Sequence, residues 1–260
     1  MPSYKPVNAV IRGLDVLMAV NRLRDRASVG EVHRETGLDK ATIVRMLETL
    51  IHAGFVFHDP GRQVYAVTGK ALLLCAGYDR HRTFGHVVAP IMADFRKRIG
   101  WPSDVAIFDQ DAMLVVETSR EAGPMLVNRH PGYRAPLLAS SLGLAYVAHC
   151  DEPTRQAILD TQAALPGPWN DVARNPDLAR RTFAQIRTRG FAAMHPEYSR
   201  LEYDNRVSTV GVPILAGTRV LAAINVLYLK TALSREQAVA ELLPGLKETA
   251  GRIARDLHAR

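Results

Sequence analysis

DKATIVRMLETLIHAGFVFHDPGRQVYAV, residues 39–67, begins as a helix and ends as a hairpin. Asp39 is a helix-capping residue type. Ile43, Leu47, Leu50 and Ile51 recur at the spacing of one helical face, with Met46 at its edge. Lys40, Thr42, Arg45, Glu48, Thr49 and His52 point away from that stripe. Gly54 closes the helix, and residues 55–58 and 63–67 alternate as two short strands around Asp59-Pro60-Gly61-Arg62, a hairpin with a polar tip. The front of the helix is cationic, hydroxylic or small. That combination suits the edge of duplex DNA: Arg45 for a bidentate contact to guanine, Thr42 for a base or phosphate, Ala41 for close backbone approach, Lys40 for a phosphate.

Working outward, Val10, Leu14, Leu17, Met18 and Leu23 recur at helical spacing over residues 7–24. Ser28-Val29-Gly30-Glu31 reads as a capping box, with Ser28 accepting from the first turn and Glu31 reaching back. This second helix is short and ends at Thr36-Gly37. Two helices joined by a tight glycine turn form a helix-turn-helix, and the second one enters the major groove. The hairpin is then the wing of a winged helix, with His58 and Arg62 placed for the DNA backbone or minor groove. The same pattern also serves modules that mediate protein contacts; the residue types at the front of the third helix favour DNA.

The chain has 260 residues, 47% hydrophobic and 23% charged, enough for one large domain or two smaller ones. No apolar run approaches the ~20 residues of a membrane helix, and the first residues carry no signal-peptide core. A soluble, cytoplasmic protein without a membrane partner is expected. Two cysteines, Cys75 and Cys150, argue against a disulfide framework or a cysteine-rich zinc site. The net charge of +7 fits a polyanionic partner and also mere solubility. Residues 1–82 hold 12 Lys and Arg against 8 Asp and Glu, so the excess is denser there.

Beyond the hairpin, residues 69–83 read as a linker helix through Leu72, Leu73 and Ala76. A further amphipathic helix runs from 84 to 99. Strand pairs follow at 105–108 with 113–117 and at 210–214 with 221–228. Helices are expected at 143–150, 152–161, 177–189 and 235–258, the last capped by Ser234. Hairpins separated by helices give an α+β class with a mostly antiparallel sheet. The expected organisation is a DNA-binding domain at 1–68, the linker helix at 69–83 and a second domain at 84–260.

Ser140-Ser141-Leu142-Gly143 leads into an apolar helix, and hydroxyls with first-turn N–H groups suit a carboxylate. Arg129, His130 and Arg134 lie just upstream. Asn225, in an otherwise apolar strand, needs partners from a ligand or a network. The string around Ser140 is not G-x-S-x-G. No phosphate-cradling loop, H-E-x-x-H motif or spaced Cys/His set occurs, so neither an enzyme nor a cofactor is expected.

The runs RGLDVLMAVNRL (12–23) and SVGEVHRETGLDKATIVRMLETLIHAGFV (28–56), with the hairpin after them, resemble the DNA-binding domain of the IclR (isocitrate lyase regulator) family. The resemblance continues over nearly the whole chain. It implies a winged helix-turn-helix, a linker helix and a GAF-like effector-binding domain. It also implies a homodimer or dimer of dimers on double-stranded DNA, with contacts to RNA polymerase as a further partner. In residues 129–150 it places Arg129, Ser140, Ser141, Leu142 and Gly143 at the effector pocket. Leu144 stands where the family usually carries lysine. In residues 189–229 it places His195, Glu197, Thr209 and Asn225 at pocket-lining positions, with Thr209 where members often carry cysteine. WPSDV (101–105), LGLAYVAHCDE (142–152) and LSREQAVAELLP (233–244) look most like the family's regulators of 3-(3-hydroxyphenyl)propionate catabolism. That similarity implies an aromatic acid effector and activation; the alternative is a repressor that responds to a small aliphatic oxoacid.

Overall fold

The computed structural model describes residues 4–75, 80–119 and 131–258. The chain divides into two compact units, residues 1–79 and 80–260. The first unit contains α1 (Asn8–Leu23), a 3-10 turn (Arg24–Arg26), α2 (Val29–Thr36), α3 (Lys40–His52) and the antiparallel pair β1 (Val56–Asp59) and β2 (Val64–Val67). A second 3-10 turn, Gly69–Cys75, follows.

Local chemistry accounts for the boundaries. Ser28 caps α2, its hydroxyl accepting from the Glu31 N–H at 3.3 Å. The return half of the expected capping box is not made, because the Glu31 carboxylate pairs with Arg34. Gly37 ends α2 at φ 69°, in the left-handed region that a Cβ penalises. Asp39 caps α3 through the Thr42 N–H at 2.8 Å. At the hairpin tip, Asp59 accepts from the N–H groups of Gly61 and Arg62, an Asx turn. β2 is tied back to the α1–α2 connection by the Tyr65 N–H on the Ala27 carbonyl.

The core of this unit is Val16, Leu17, Ala19, Val20, Ala27, Val32, Ile43, Leu47 and Val56. The stripe expected on α1 is therefore mostly displaced. Only Leu17 of it is buried, while Val10, Leu14 and Met18 are about half exposed. The buried face of α1 uses the smaller residues Val16, Ala19 and Val20. Ile51 likewise lies at the surface, past the edge of the α3 stripe.

The second unit holds α4 (Arg80–Ile99), β3 (Ser103–Asp109), β4 (Ala112–Thr118), β5 (Arg134–Pro136), α5 (Ser141–His149), α6 (Glu152–Ala163), α7 (Asp171–Arg174) and α8 (Pro176–Arg189). It is completed by β6 (Ala192–Ala193), α9 (Pro196–Tyr203), β7 (Val207–Ala216), β8 (Arg219–Leu229) and α10 (Arg235–His258). Six strands form one antiparallel sheet in the order β5-β4-β3-β8-β7-β6. Among the described residues no helix is long and apolar enough to cross a membrane.

The linker helix expected at 69–83 falls partly outside the described residues, and its first part is not α-helical. Residues 69–75 are a 3-10 turn, residues 76–79 lie outside the description, and α4 already starts at Arg80. The strands β5 and β6 and the helices α7 and α9 are too short to carry a periodic signal, and the sequence reading omits them.

Alternation divides the sheet into two faces. Val105, Ile107, Leu114, Val116, Val210, Val212, Ile224 and Val226 pack against α4 and α10. Ala106, Met113, Val115 and Ala223 face α5 and α8. A bulge breaks the β3–β4 register: Ala106 pairs with Val115, but Val105 pairs with Glu117. Val116 is the extra residue, and the side-chain phase of β4 changes there.

Candidate DNA-reading helix and effector site

On α3, Ala41, Arg45 and Glu48 lie opposite the buried Ile43 and Leu47, so the exposed face is the one the DNA reading requires. Lys40, Arg45 and Arg62 are exposed and form no ion pair among the described residues. Thr42 is only half exposed, and its hydroxyl donates to Asp39 at 2.7 Å. Thr42 thus positions the first turn of α3 and keeps only acceptor capacity for an outside partner. The Asp39 carboxyl is held below its ordinary pKa by the Thr42 hydroxyl and N–H, with the Arg12 charge adding to this. Ser28 is engaged as the α2 cap and remains partly exposed. At the far end of α3, Lys70 donates to the Ala53 carbonyl at 2.8 Å, a cation at the negative helix terminus.

In the second unit, α5 starts on the sheet. Ser140 caps it, its hydroxyl accepting from the Gly143 N–H at 3.0 Å and donating to the Pro136 carbonyl at 2.7 Å. The Gly143 N–H is therefore not available to an anion. The Ser141 and Leu142 N–H groups are the first-turn donors without an intrahelical acceptor. Ser141 is fully buried and its Oγ accepts from the Thr209 hydroxyl at 2.6 Å.

Glycine permits this approach twice. A Cβ on Gly143 would lie 2.2 Å from the Leu137 carbonyl oxygen, and one on Gly211 would lie 2.7 Å from that of Ser141. Asn225 is the neighbour of Gly211 across the β7–β8 pair. Its Oδ1 accepts from the Asp104 N–H at 3.0 Å, and Asp104 Oδ1 accepts from the Thr118 hydroxyl at 2.7 Å. The Asn225 Nδ2 is buried and finds no acceptor among the described residues. A donor kept out of water without a partner costs on the order of 1–3 kcal/mol. Ser141, Thr209, Asn225, Asp104 and Thr118 thus make a buried polar floor on an otherwise apolar face.

His195 caps α9, its Nδ1 accepting from the Glu197 N–H at 3.2 Å, and the His195 backbone N–H donates to the Ala139 carbonyl at 2.8 Å. This brings His195 to the start of α5. Burial lowers the His195 pKa, and the neighbouring Glu197 opposes the shift. Trp169 meets His195 and Tyr198 edge-on, with ring centroids 6.4 and 5.8 Å apart, and Tyr133 and Tyr198 share a 2.7 Å hydroxyl contact.

Two expectations change. The Glu197 carboxylate is held by Arg200 at 2.8 Å and is partly exposed, so its backbone rather than its charge serves the site. Arg134 is committed to Asp109 and Asp111 at the end of the β3–β4 hairpin, so it adds no free charge. Arg129 and His130 lie outside the described residues. Leu142 is buried, and α5 is buried along Ser141–Ala148, with His149 in its last turn. Sequence reasoning missed Asp104, Thr118, Gly211 and the Trp169–Tyr198 pair. The polar side chains within SDV and VET were the available signal.

A helix-turn-helix unit followed by an α/β unit with a buried polar floor is the plan of a DNA-binding transcriptional regulator. The description "IclR helix-turn-helix domain" matches residues 9–60, and "Bacterial transcriptional regulator IclR C-terminal" matches residues 78–255. The chain belongs to the IclR family; it is a regulator and not an enzyme. The Pca regulon regulatory protein of Pseudomonas putida is 23% identical over 222 residues, 85% of this chain and 74% of its own. The transcriptional repressor IclR of Escherichia coli K12 is 22% identical over 200 residues, 76% of this chain and 73% of its own. An IclR homolog of Microbacterium hydrocarbonoxydans, solved with 4-hydroxybenzoate, superposes with a TM-score of 0.67 at 23% identity, covering 97% of this chain and 100% of its own.

Proposed function

We propose that the protein is a cytoplasmic regulator of a catabolic operon, a repressor whose DNA affinity is set by an aromatic carboxylic acid bound on the α5–β7–β8 floor. The carrying observation is the buried, unpartnered Asn225 Nδ2 beside the mouth of α5. A ligand oxygen there gives Asn225 its acceptor and meets the Ser141 and Leu142 N–H groups. The aromatic class draws support from the Trp169–Tyr198 pair near His195 and from the 4-hydroxybenzoate bound by the Microbacterium homolog. Repression replaces the expected activation because the Escherichia coli relative is a repressor by name. The narrower likeness to regulators of 3-(3-hydroxyphenyl)propionate catabolism, with the activation it implied, rests on sequence stretches alone. A repressor that responds to a small aliphatic oxoacid is the second reading, favoured by the small hydroxyl pair Ser141–Thr209.

The reading includes a GAF-like effector domain with Ser140–Gly143, His195, Thr209 and Asn225 at its pocket, and a homodimer or dimer of dimers on DNA. Val10, Ile11, Leu14 and Met18 leave one face of α1 apolar and exposed, the surface a second copy would cover. Lys40, Ala41, Thr42, Arg45, Ser28 and Arg62 face DNA; RNA polymerase contact is a further part of the reading. Fluorescence anisotropy tests it, with duplexes from upstream of the protein's own gene, at fixed salt, with aromatic and aliphatic acids. Weakened specific binding by 4-hydroxybenzoate or a related aromatic acid is expected. A response to pyruvate-like oxoacids alone selects the second reading, and no response to any acid rejects both.

A further inference from the structure

The polar floor is joined to α4 through the sheet. Arg96, on the last turns of α4, spreads its guanidinium over two strands. Its Nη1 donates to Glu117 at 2.9 Å, its Nε to the Ser103 hydroxyl at 3.1 Å and its Nη2 to the Ser103 carbonyl at 2.8 Å. Ser103 is fully buried and Glu117 nearly so. The Ser103 N–H donates to the hydroxyl of Ser119, the residue just past β4, at 3.2 Å.

The next residue on each strand belongs to the opposite face. Asp104 follows Ser103, and Thr118 follows Glu117; the Thr118 hydroxyl donates to the Asp104 carboxylate at 2.7 Å, and the Asp104 backbone N–H donates to Asn225 Oδ1 at 3.0 Å. The bulge makes this arrangement. With Val116 inserted, Val116 and Glu117 share the α4 face and Thr118 returns to the floor. In an unbroken strand Glu117 would lie opposite Asp104 on the floor face, away from Arg96. A largely buried guanidinium held by three acceptors is intolerant of small displacements, so movement of the strand ends and movement of α4 are linked.

We propose that Arg96, with Glu117 and Ser103, is a positioning device that transmits the state of the Asn225–Asp104–Thr118 network to α4, the helix that follows the DNA-reading unit in the chain. The device rests on the effector reading for its purpose, but the coupling is measurable without any effector. Hydrogen–deuterium exchange on the full chain compares wild type, Asn225→Ala, Glu117→Gln and the double variant. Asn225→Ala is expected to raise exchange several-fold in α4 over residues 92–99, and Glu117→Gln to remove most of that response. No change in α4, or an equal change in both backgrounds, overturns the proposal.

Thr118→Val keeps the shape and removes the bond to Asp104, so it reads the same coupling if Asn225→Ala fails to fold. Arg96→Lys retains a charge beside Glu117 but cannot hold Ser103 as well, and is expected to behave as Glu117→Gln. A purely structural role would lower the melting temperature of these variants and leave the response of α4 to the floor intact. In parallel, 4-hydroxybenzoate and pyruvate are titrated into wild type bound to its DNA. That arm decides the effector reading alone, so its failure and failure of the coupling are separable.

Discussion

Arg45 stands clear of the core of its unit, on the face of α3 opposite Ile43 and Leu47, with no carboxylate in contact among the described residues. If its guanidinium reads a guanine, Arg45→Ala loses about 1–3 kcal/mol at the specific site and relaxes specificity at one base pair. Anisotropy on the operator and on single-base variants checks this; an equal loss on every duplex would make Arg45 a phosphate contact. His149 and His195 carry the second residue-scale prediction. Burial is the main cause that lowers the pKa of each from its ordinary 6.5. The unfolded chain therefore binds more protons than the folded one between those values and 6.5, and stability rises with pH across that window. Acidification below about pH 6.5 should lower the melting temperature. The loss should be shallower in His195→Gln, because a protonated Nδ1 can no longer accept from the Glu197 N–H.

Among elements, α5 depends on backbone contact that only glycine allows. A methyl group at Gly143 would sit 2.2 Å from the Leu137 carbonyl oxygen, and that backbone is itself fully buried. Overpacking of this kind costs about 1–3 kcal/mol and more when the neighbour is backbone. Gly143→Ala should lower the denaturant midpoint with little change in slope, while Gly13→Ala, with only Met46 at 3.7 Å, should be mild by comparison. Equal effects would mean that the α5 start relaxes freely. Capping was the part of the element scale most visible beforehand: Ser28, Gly37, Asp39 and Ser234 act where their sequence contexts place them. The α1 stripe was not. Leucine and methionine at helical spacing mark an apolar face, but spacing alone cannot say whether that face meets its own core or another molecule.

At the scale of the whole molecule, the half-exposed Leu14 and Met18 on α1 would be an unusual cost in a lone regulator. A partner subunit covering this face gives them a reason. Leu14→Glu should then change monomer stability by about 0.5 kcal/mol or less, as surface substitutions do. It should also shift sedimentation towards smaller species and weaken binding to a two-half-site operator. Unchanged sedimentation and DNA affinity would remove α1 from the assembly.

By itself the sequence determined the third helix, its N-cap, the hairpin after it and the alternation of the long strands, because each is encoded within a few consecutive residues. It also placed Ser140, Ser141, Thr209 and Asn225 in one candidate site through resemblance, although it could not say that Ser140 would be taken up as a cap. Only the tertiary structure decided which charges stay free. Arg134 found Asp109 and Asp111 across a hairpin, partners that no local pattern names, whereas Glu197 and Glu31 pair with arginines three residues on, within one helical turn. The floor and its clamp were equally out of reach. They depend on one bulged residue that changes which face Glu117 and Thr118 take, and a register is a relation between strands rather than a property of either.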